Sequence, residues 1–322
     1  MDALDLRLLD EFQRDFPLTG RPFARVATAL SLSEPKVLAR LQHLTETGAL
    51  ARVGATVRPH TAGASTLAAL AVPEAQLEEV ATLVGAERGV NHSYQREDLW
   101  NLWFVATAPD APALAASLSR IGQATGLKVL NLPLVRAFNI DLGFRLTGAR
   151  AAMPADRGAA TTHLQGADRA ILQALSDGLP LLPRPYAALA ARLGLTEGHL
   201  HQRIAALIAG GVITRLGLIV RHRALGYAAN AMVAWALPEG QIPDAGRALA
   251  TLPGVTLCYE RRPVPGLWEH PLFCMIHART RPEALAVLDR AARLPELAGA
   301  APRILFSTRC FKQRGALIAE AA

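Results

Sequence analysis

The chain repeats itself, and that duplication limits what it can fold into more than any other feature. Asp5-Leu6-Arg7-Leu8-Leu9 reappears as Asp168-Arg169-Ala170-Ile171-Leu172, and Arg21-Pro22-Phe23 as Arg184-Pro185-Tyr186. Leu30-Ser31-Leu32-Ser33 aligns with Leu193-Gly194-Leu195-Thr196, Gly48 with Gly211, Arg52 with Arg215, Gly54 with Gly217 and Arg58 with Arg221, all in one register. Such a repeat folds as copies of one structural plan, so an element read in one half is expected in the other. Residues 146–165 are rich in Ala, Gly, Thr and Pro without an apolar period, and read as the linker between the halves.

Within the first half, Leu8, Leu9 and Phe12 open an amphipathic helix, and a short helix follows near 22–30. Leu32-Ser33 then leads into a helix from about 34 to 47, with the serine placed as its cap and Gly48 as its stop. Ala49 to Val57 reads as a β-wing, which predicts a winged helix-turn-helix over 1–60 and again over 166–223. Each copy is followed by a strand (64–72; 227–237), a helix (75–86; 243–252), two strands, another helix and a last strand. That β-α-β-β-α-β order predicts ferredoxin-like domains over 61–145 and 224–322, an α+β fold throughout.

With 322 residues the chain can bury several cores, and 51% hydrophobic against 19% charged residues disfavours disorder. No apolar run reaches the roughly 18 residues of a membrane span. The opening MDALDLRLLDEF lacks the features of a secretory signal, so the expected location is cytoplasmic, with no membrane partner. Cys258, Cys274 and Cys310 are widely spaced without a C-x-x-C pair, and read as core or surface thiols. A net charge of +7 favours an anionic partner, either nucleic acid or a small polycarboxylate.

Three segments carry the chemistry. The first, Gly89-Val90-Asn91-His92-Ser93-Tyr94-Gln95-Arg96-Glu97, runs on into Asn101-Leu102-Trp103-Phe104; the second is Leu132-Pro133-Leu134-Val135-Arg136-Ala137-Phe138; the third is Phe306-Ser307-Thr308-Arg309-Cys310-Phe311-Lys312-Gln313-Arg314-Gly315. Alternate residues of a strand share a face, so Val90, His92, Tyr94 and Arg96 are expected to line up, with Ser93 on the other side. The duplicate of the first segment is Val255-Thr256-Leu257-Cys258-Tyr259-Glu260-Arg261, in which Leu257 replaces the histidine.

A winged helix-turn-helix followed by a ferredoxin-like domain resembles the Lrp/AsnC-type regulators, nearly the whole chain covering that plan twice. In that family such sheets commonly face each other, which implies a pseudo-dimer within this chain. The three segments are more specific: they resemble the siroheme decarboxylases of d1-type heme biosynthesis, the first half similar to the D-type subunit and the second to the L-type. One departure is that the family's H-N-Y-x-R stands here as His92-Ser93-Tyr94-Gln95-Arg96. The resemblance implies removal of two acetate carboxylates from siroheme, giving didecarboxysiroheme and carbon dioxide. The partners it implies are siroheme and its decarboxylated products, with no cofactor beyond the iron that the substrate brings.

Loss of carbon dioxide leaves electron density on a methylene beside a pyrrole, so a proton must be delivered there. His92 is the first candidate for that step and Tyr94 the second; axial ligation of the iron is the rival role for His92. Arg96, Arg136, Arg261, Arg309 and Lys312 are candidates to clamp the substrate's other carboxylates. Asn101, Trp103, with Phe104 beside it, and Tyr259 complete the candidate surface. The plain alternative is that the aromatics are core residues and His92 is merely hydrogen-bonded in the sheet. His163, His199, His201, His270 and His277 have no metal-ligand spacing and read as structural or surface residues, while His60 and His222 are unassigned.

The rival from another class is a transcriptional regulator, heme-responsive or otherwise. Its recognition helices would run from Glu34 to Thr47, carrying Lys36, Arg40 and His43, and from Glu197 to Ile208, with Arg203 as the permanent cation. Phosphate neutralisation usually needs more donors, so no sequence-specific nucleic acid is expected. A non-catalytic heme chaperone would share the ligand-binding residues and differ only in forming no product. Assembly of the chain into a homo-oligomer is left open.

Overall fold

The computed structural model describes residues 1–139, 143 and 163–319. The linker expected over 146–165 lies, through residue 162, outside the described residues. The first half comprises α1 (Ala3–Glu11), α2 (Pro22–Ala29), α3 (Glu34–Glu46), β1 (Leu50–Val57), β2 (Ala64–Leu70), α4 (Leu77–Ala86), β3 (Val90–Arg96), β4 (Leu102–Ala108), α5 (Ala111–Thr125) and β5 (Leu130–Asn139). The second comprises α6 (Asp168–Asp177), α7 (Pro185–Arg192), α8 (Glu197–Ala209), β6 (Ile213–Val220), β7 (Ala229–Trp235), α9 (Ile242–Thr251), β8 (Val255–Arg261), β9 (Leu272–Ala278), α10 (Arg281–Ala292) and β10 (Pro302–Gln313). Among the described residues these elements group into two compact units: 1–62 with 143, 163–225 and 318–319, and 63–139 with 226–317.

In the first unit the wing is not a hairpin. Each half supplies one strand, β1 pairs antiparallel with β6, and Gly54 stands opposite Gly217. Leu218 N–H donates to the Phe12 carbonyl at 2.8 Å and Leu179 N–H to that of Val53 at 2.7 Å, so each strand is seated against the other copy's first helix region. Only glycine permits this approach: a Cβ on Gly217 would lie 2.1 Å from the Gln13 carbonyl oxygen, and one on Gly54 would lie 2.3 Å from that of Leu175. Ion pairs are duplicated as well. Arg40 on α3 binds Asp5 at 2.6 Å and Asp2 at 3.0 Å, and Arg203 on α8 binds Asp168 at 2.9 and 2.7 Å.

In the second unit the eight strands close into a barrel in the order β10-β3-β4-β2-β5-β8-β9-β7. Each half keeps the ferredoxin-like order, and the two sheets meet as the expected pseudo-dimer, but they are also stitched at both edges. The last strand of each half crosses over: β5 pairs with β2 through Leu130–Pro133 and with β8 from Leu134 onward, while β10 pairs with β7 through Phe306 and with β3 from Ser307 onward. Closure leaves no free edge to template aggregation. The interior is filled from both halves by Trp103, Trp268, Phe273, Tyr259, Met232 and Leu305 among others. The outer faces pack on α4 and α5 in one half and on α9 and α10 in the other.

Candidate active site

Strand β3 carries the histidine motif, and its register decides which side chains work together. Tyr94 stands opposite Trp103 and His92 opposite Val105 on β4, both of which pack with the interior cluster, so His92, Tyr94 and Arg96 face the barrel interior. Ser93 is opposite Phe104 and points to the helix-packed side, as the alternation predicts. Val90 does not join the row. A β-bulge lies between Val90 and His92, and Val90 packs outward with α4 and α5. The same bulge recurs in the duplicate between Val255 and Leu257, turning Leu257 inward where the first half has its histidine.

His92 and Tyr94 are bonded to each other: the imidazole Nδ1 lies 3.1 Å from the phenolic oxygen, with the rings 20° from parallel. Both are half-buried. Arg96 is buried, donates to the Leu305 carbonyl at 3.3 Å and holds its guanidinium carbon 5.5 Å from the Tyr94 ring centre. The second half contributes Tyr259, stacked on Phe273 at 5.7 Å, and Arg261, whose guanidinium lies 4.6 Å over the Tyr259 ring and donates to the Leu132 carbonyl at 2.8 Å. Burial pushes the Tyr259 phenol above its ordinary range, against the opposing charges of Arg261 and Arg96. Burial also pulls the Arg261 guanidinium below its usual value, opposed by Tyr259. The interior therefore brings together His92, Tyr94 and Arg96 with Trp103, Tyr259 and Arg261.

Other expected site residues lie elsewhere. Bulges between Leu134 and Arg136 on β5, and between Ser307 and Arg309 on β10, turn both of these arginines to the outer face. There Arg136 approaches Glu260 at 3.5 Å and the Phe138 ring at 5.9 Å, while Arg309 pairs with Glu78 and lies 4.7 Å over Phe311. Lys312 donates to the carbonyls of Gly85 at 2.6 Å and Glu87 at 3.2 Å, capping the end of α4; burial pulls its amine below the usual value. Asn101 binds both backbone groups of Val72, at 2.9 and 2.8 Å, and so fixes the chain beyond β2. Trp103 and Phe104 cannot form one wall, because they point to opposite faces.

Alternation alone missed a row on β10. Ser307, Cys310 and Gln313 are the register partners of Arg96, Tyr94 and His92, on the same face. Their sequence signal was present in the third segment, but the bulges shift the count. Cys258 and Cys274 are buried, Cys310 is half-buried, and all three are free thiols. Among the described residues no group of three or more His, Cys, Asp or Glu is arranged to hold a metal ion, and no helix is long and apolar enough to cross a membrane.

Comparison with known proteins identifies the family. A family of AsnC-like ligand binding domains matches residues 62–139 and 224–312, and a siroheme decarboxylase NirDL-like HTH domain matches 5–50 and 168–213. The siroheme decarboxylase NirDL subunit of Paracoccus pantotrophus is 63% identical over 323 residues, spanning 100% of this chain and 99% of that protein. The chain belongs to the siroheme decarboxylase family. It is the fused form, with D-type and L-type halves in one polypeptide. A more distant siroheme decarboxylase, from Hydrogenobacter thermophilus, is 32% identical over 311 residues, 95% of this chain and 92% of that one. The crystal structure of a siroheme decarboxylase NirDL in complex with an iron-uroporphyrin III analogue matches with a TM-score of 0.69 at 28% identity, covering 98% of this chain and 94% of that one.

Proposed function

We infer that the chain is a siroheme decarboxylase whose chemistry takes place on the His92 face. It removes the carboxyl groups of two acetate side chains of siroheme, giving didecarboxysiroheme and carbon dioxide in d1-type heme biosynthesis. The observation that carries the reading is the bonded His92–Tyr94 pair, on the interior face of the fold that in a relative accompanies an iron-tetrapyrrole analogue.

In the reaction the bond between the acetate methylene and its carboxylate carbon breaks, carbon dioxide leaves, and the electron pair delocalises into the pyrrole until a proton arrives. In this reading His92 delivers that proton. Tyr94 orients the ring through its contact with Nδ1. Arg96 and Arg261 are suited to hold carboxylates that are not lost. The iron belongs to the substrate, and His92 as its axial ligand remains the rival role, separable by spectroscopy. Tyr94→Phe keeps the ring and removes the hydroxyl; the variant should stay folded and bind siroheme but turn over about tenfold or more slowly, as for loss of one proton-relay contact. Wild-type turnover in anaerobic assays of that variant would remove Tyr94 from the mechanism.

The regulator reading is less supported. Of the cations that would face DNA, Arg40 and Arg203 are both bound to aspartates of the preceding helices. This leaves Lys36 as the permanent cation of the first recognition helix and none on the second.

A further inference from the structure

The face opposite His92 carries a neutral donor, where the third motif offers several cations. Gln313 on β10 is the direct register partner of His92, which sets their Cβ atoms about 4.5–5.5 Å apart. It is half-buried and turned to the interior, on the side opposite to Lys312. Two cations of the same strand are directed away, Arg309 to Glu78 and Lys312 to the carbonyls that end α4, and Arg314, next to Gln313, is exposed. The position is also specific to one side of the duplication. In sequence, the duplicate of Gln313 is Ile140, just as the duplicate of His92 is Leu257.

We propose that Gln313 binds the acetate carboxylate that is to be lost, its side-chain amide orienting that group beside His92 without neutralising it. The proposal rests on the reading of the His92 face as the decarboxylation site. Its physical basis is that the reacting carboxylate gives up its charge as carbon dioxide departs. A guanidinium or ammonium on that group would stabilise the starting state more than the transition state and so slow the reaction, whereas an amide supplies geometry with little charge stabilisation. Cations that hold the other carboxylates carry no such penalty, because those groups keep their charge. The second half thus completes the first half's site rather than building its own.

The test compares Gln313→Arg and Gln313→Leu in the full-length protein, with siroheme as the probe, anaerobically. Affinity is read from absorbance titration and turnover from product mass. Gln313→Arg should bind siroheme at least as tightly as wild type and turn over about tenfold or more slowly, and Gln313→Leu should lose both affinity and turnover. Melting curves should match wild type for both. Turnover within about twofold of wild type in either variant would overturn the proposal, as would looser binding by Gln313→Arg, which would point to bulk rather than charge. If wild-type protein itself released no carbon dioxide from siroheme, the function reading would fail instead, before the variants were compared.

Discussion

His92→Ala should abolish carbon dioxide release, lowering turnover by about 100- to 10,000-fold, the range for loss of a positioned acid–base group. The fold should survive, because His92 is only half-buried and the pairing of β3 with β4 and β10 is made by the backbone. Much of the siroheme affinity should survive too, since Arg96 and Arg261 are untouched. The absorption spectrum of bound siroheme separates the two roles: an unchanged spectrum with lost turnover fits proton delivery, and a shifted one fits axial ligation. Turnover and spectrum both at wild-type values would leave the His-Tyr-Arg row a structural feature of the sheet.

Arg203→Ala should destabilise the helix-turn-helix unit by about 3–5 kcal/mol, because it strands a carboxylate in the interior. Asp168 has a side chain only 1% exposed and receives two hydrogen bonds from Arg203. Burial tends to raise its carboxyl, but the Arg203 hydrogen bonds, the Gln165 N–H and the Arg203 charge prevail and hold it below its ordinary value. A group depressed in this way contributes stability above its unfolded pKa of about 4, and that stability is lost as pH falls through the lower folded value. In the variant the carboxyl loses its partner, so the deficit should be largest near neutral pH and shrink on acidification. At roughly 2–4 °C per kcal/mol, thermal melts at neutral pH should show a fall of about 6–20 °C. A fall of a degree or two would mean that the pair behaves as an exposed one.

The repeat, the helix periods and the β-α-β-β-α-β order were legible in the sequence because each follows from local pattern. The partners of the strands were not. Nothing in Ala49 to Val57 says that β1 pairs with its own duplicate, since pairing partners are set by tertiary closure, although Gly54 and Gly217 mark the crossing in hindsight. Bulges were equally silent. Alternation correctly joined His92, Tyr94 and Arg96, but the bulge beside each of Val90, Arg136 and Arg309 moved that residue to the other face. Motif membership likewise could not separate Lys312, which caps a helix, from Gln313 beside it, which faces His92.

Siroheme decarboxylation by this chain can be followed by incubating the purified wild-type protein with siroheme under strictly anaerobic conditions and recording the tetrapyrrole by mass spectrometry. The substrate mass should fall by one and then two carbon dioxide units as product accumulates, with no change when protein is omitted. Tight binding of siroheme with its mass unchanged, under conditions where a family relative completes the reaction, would contradict it and leave the chain a binder of the tetrapyrrole.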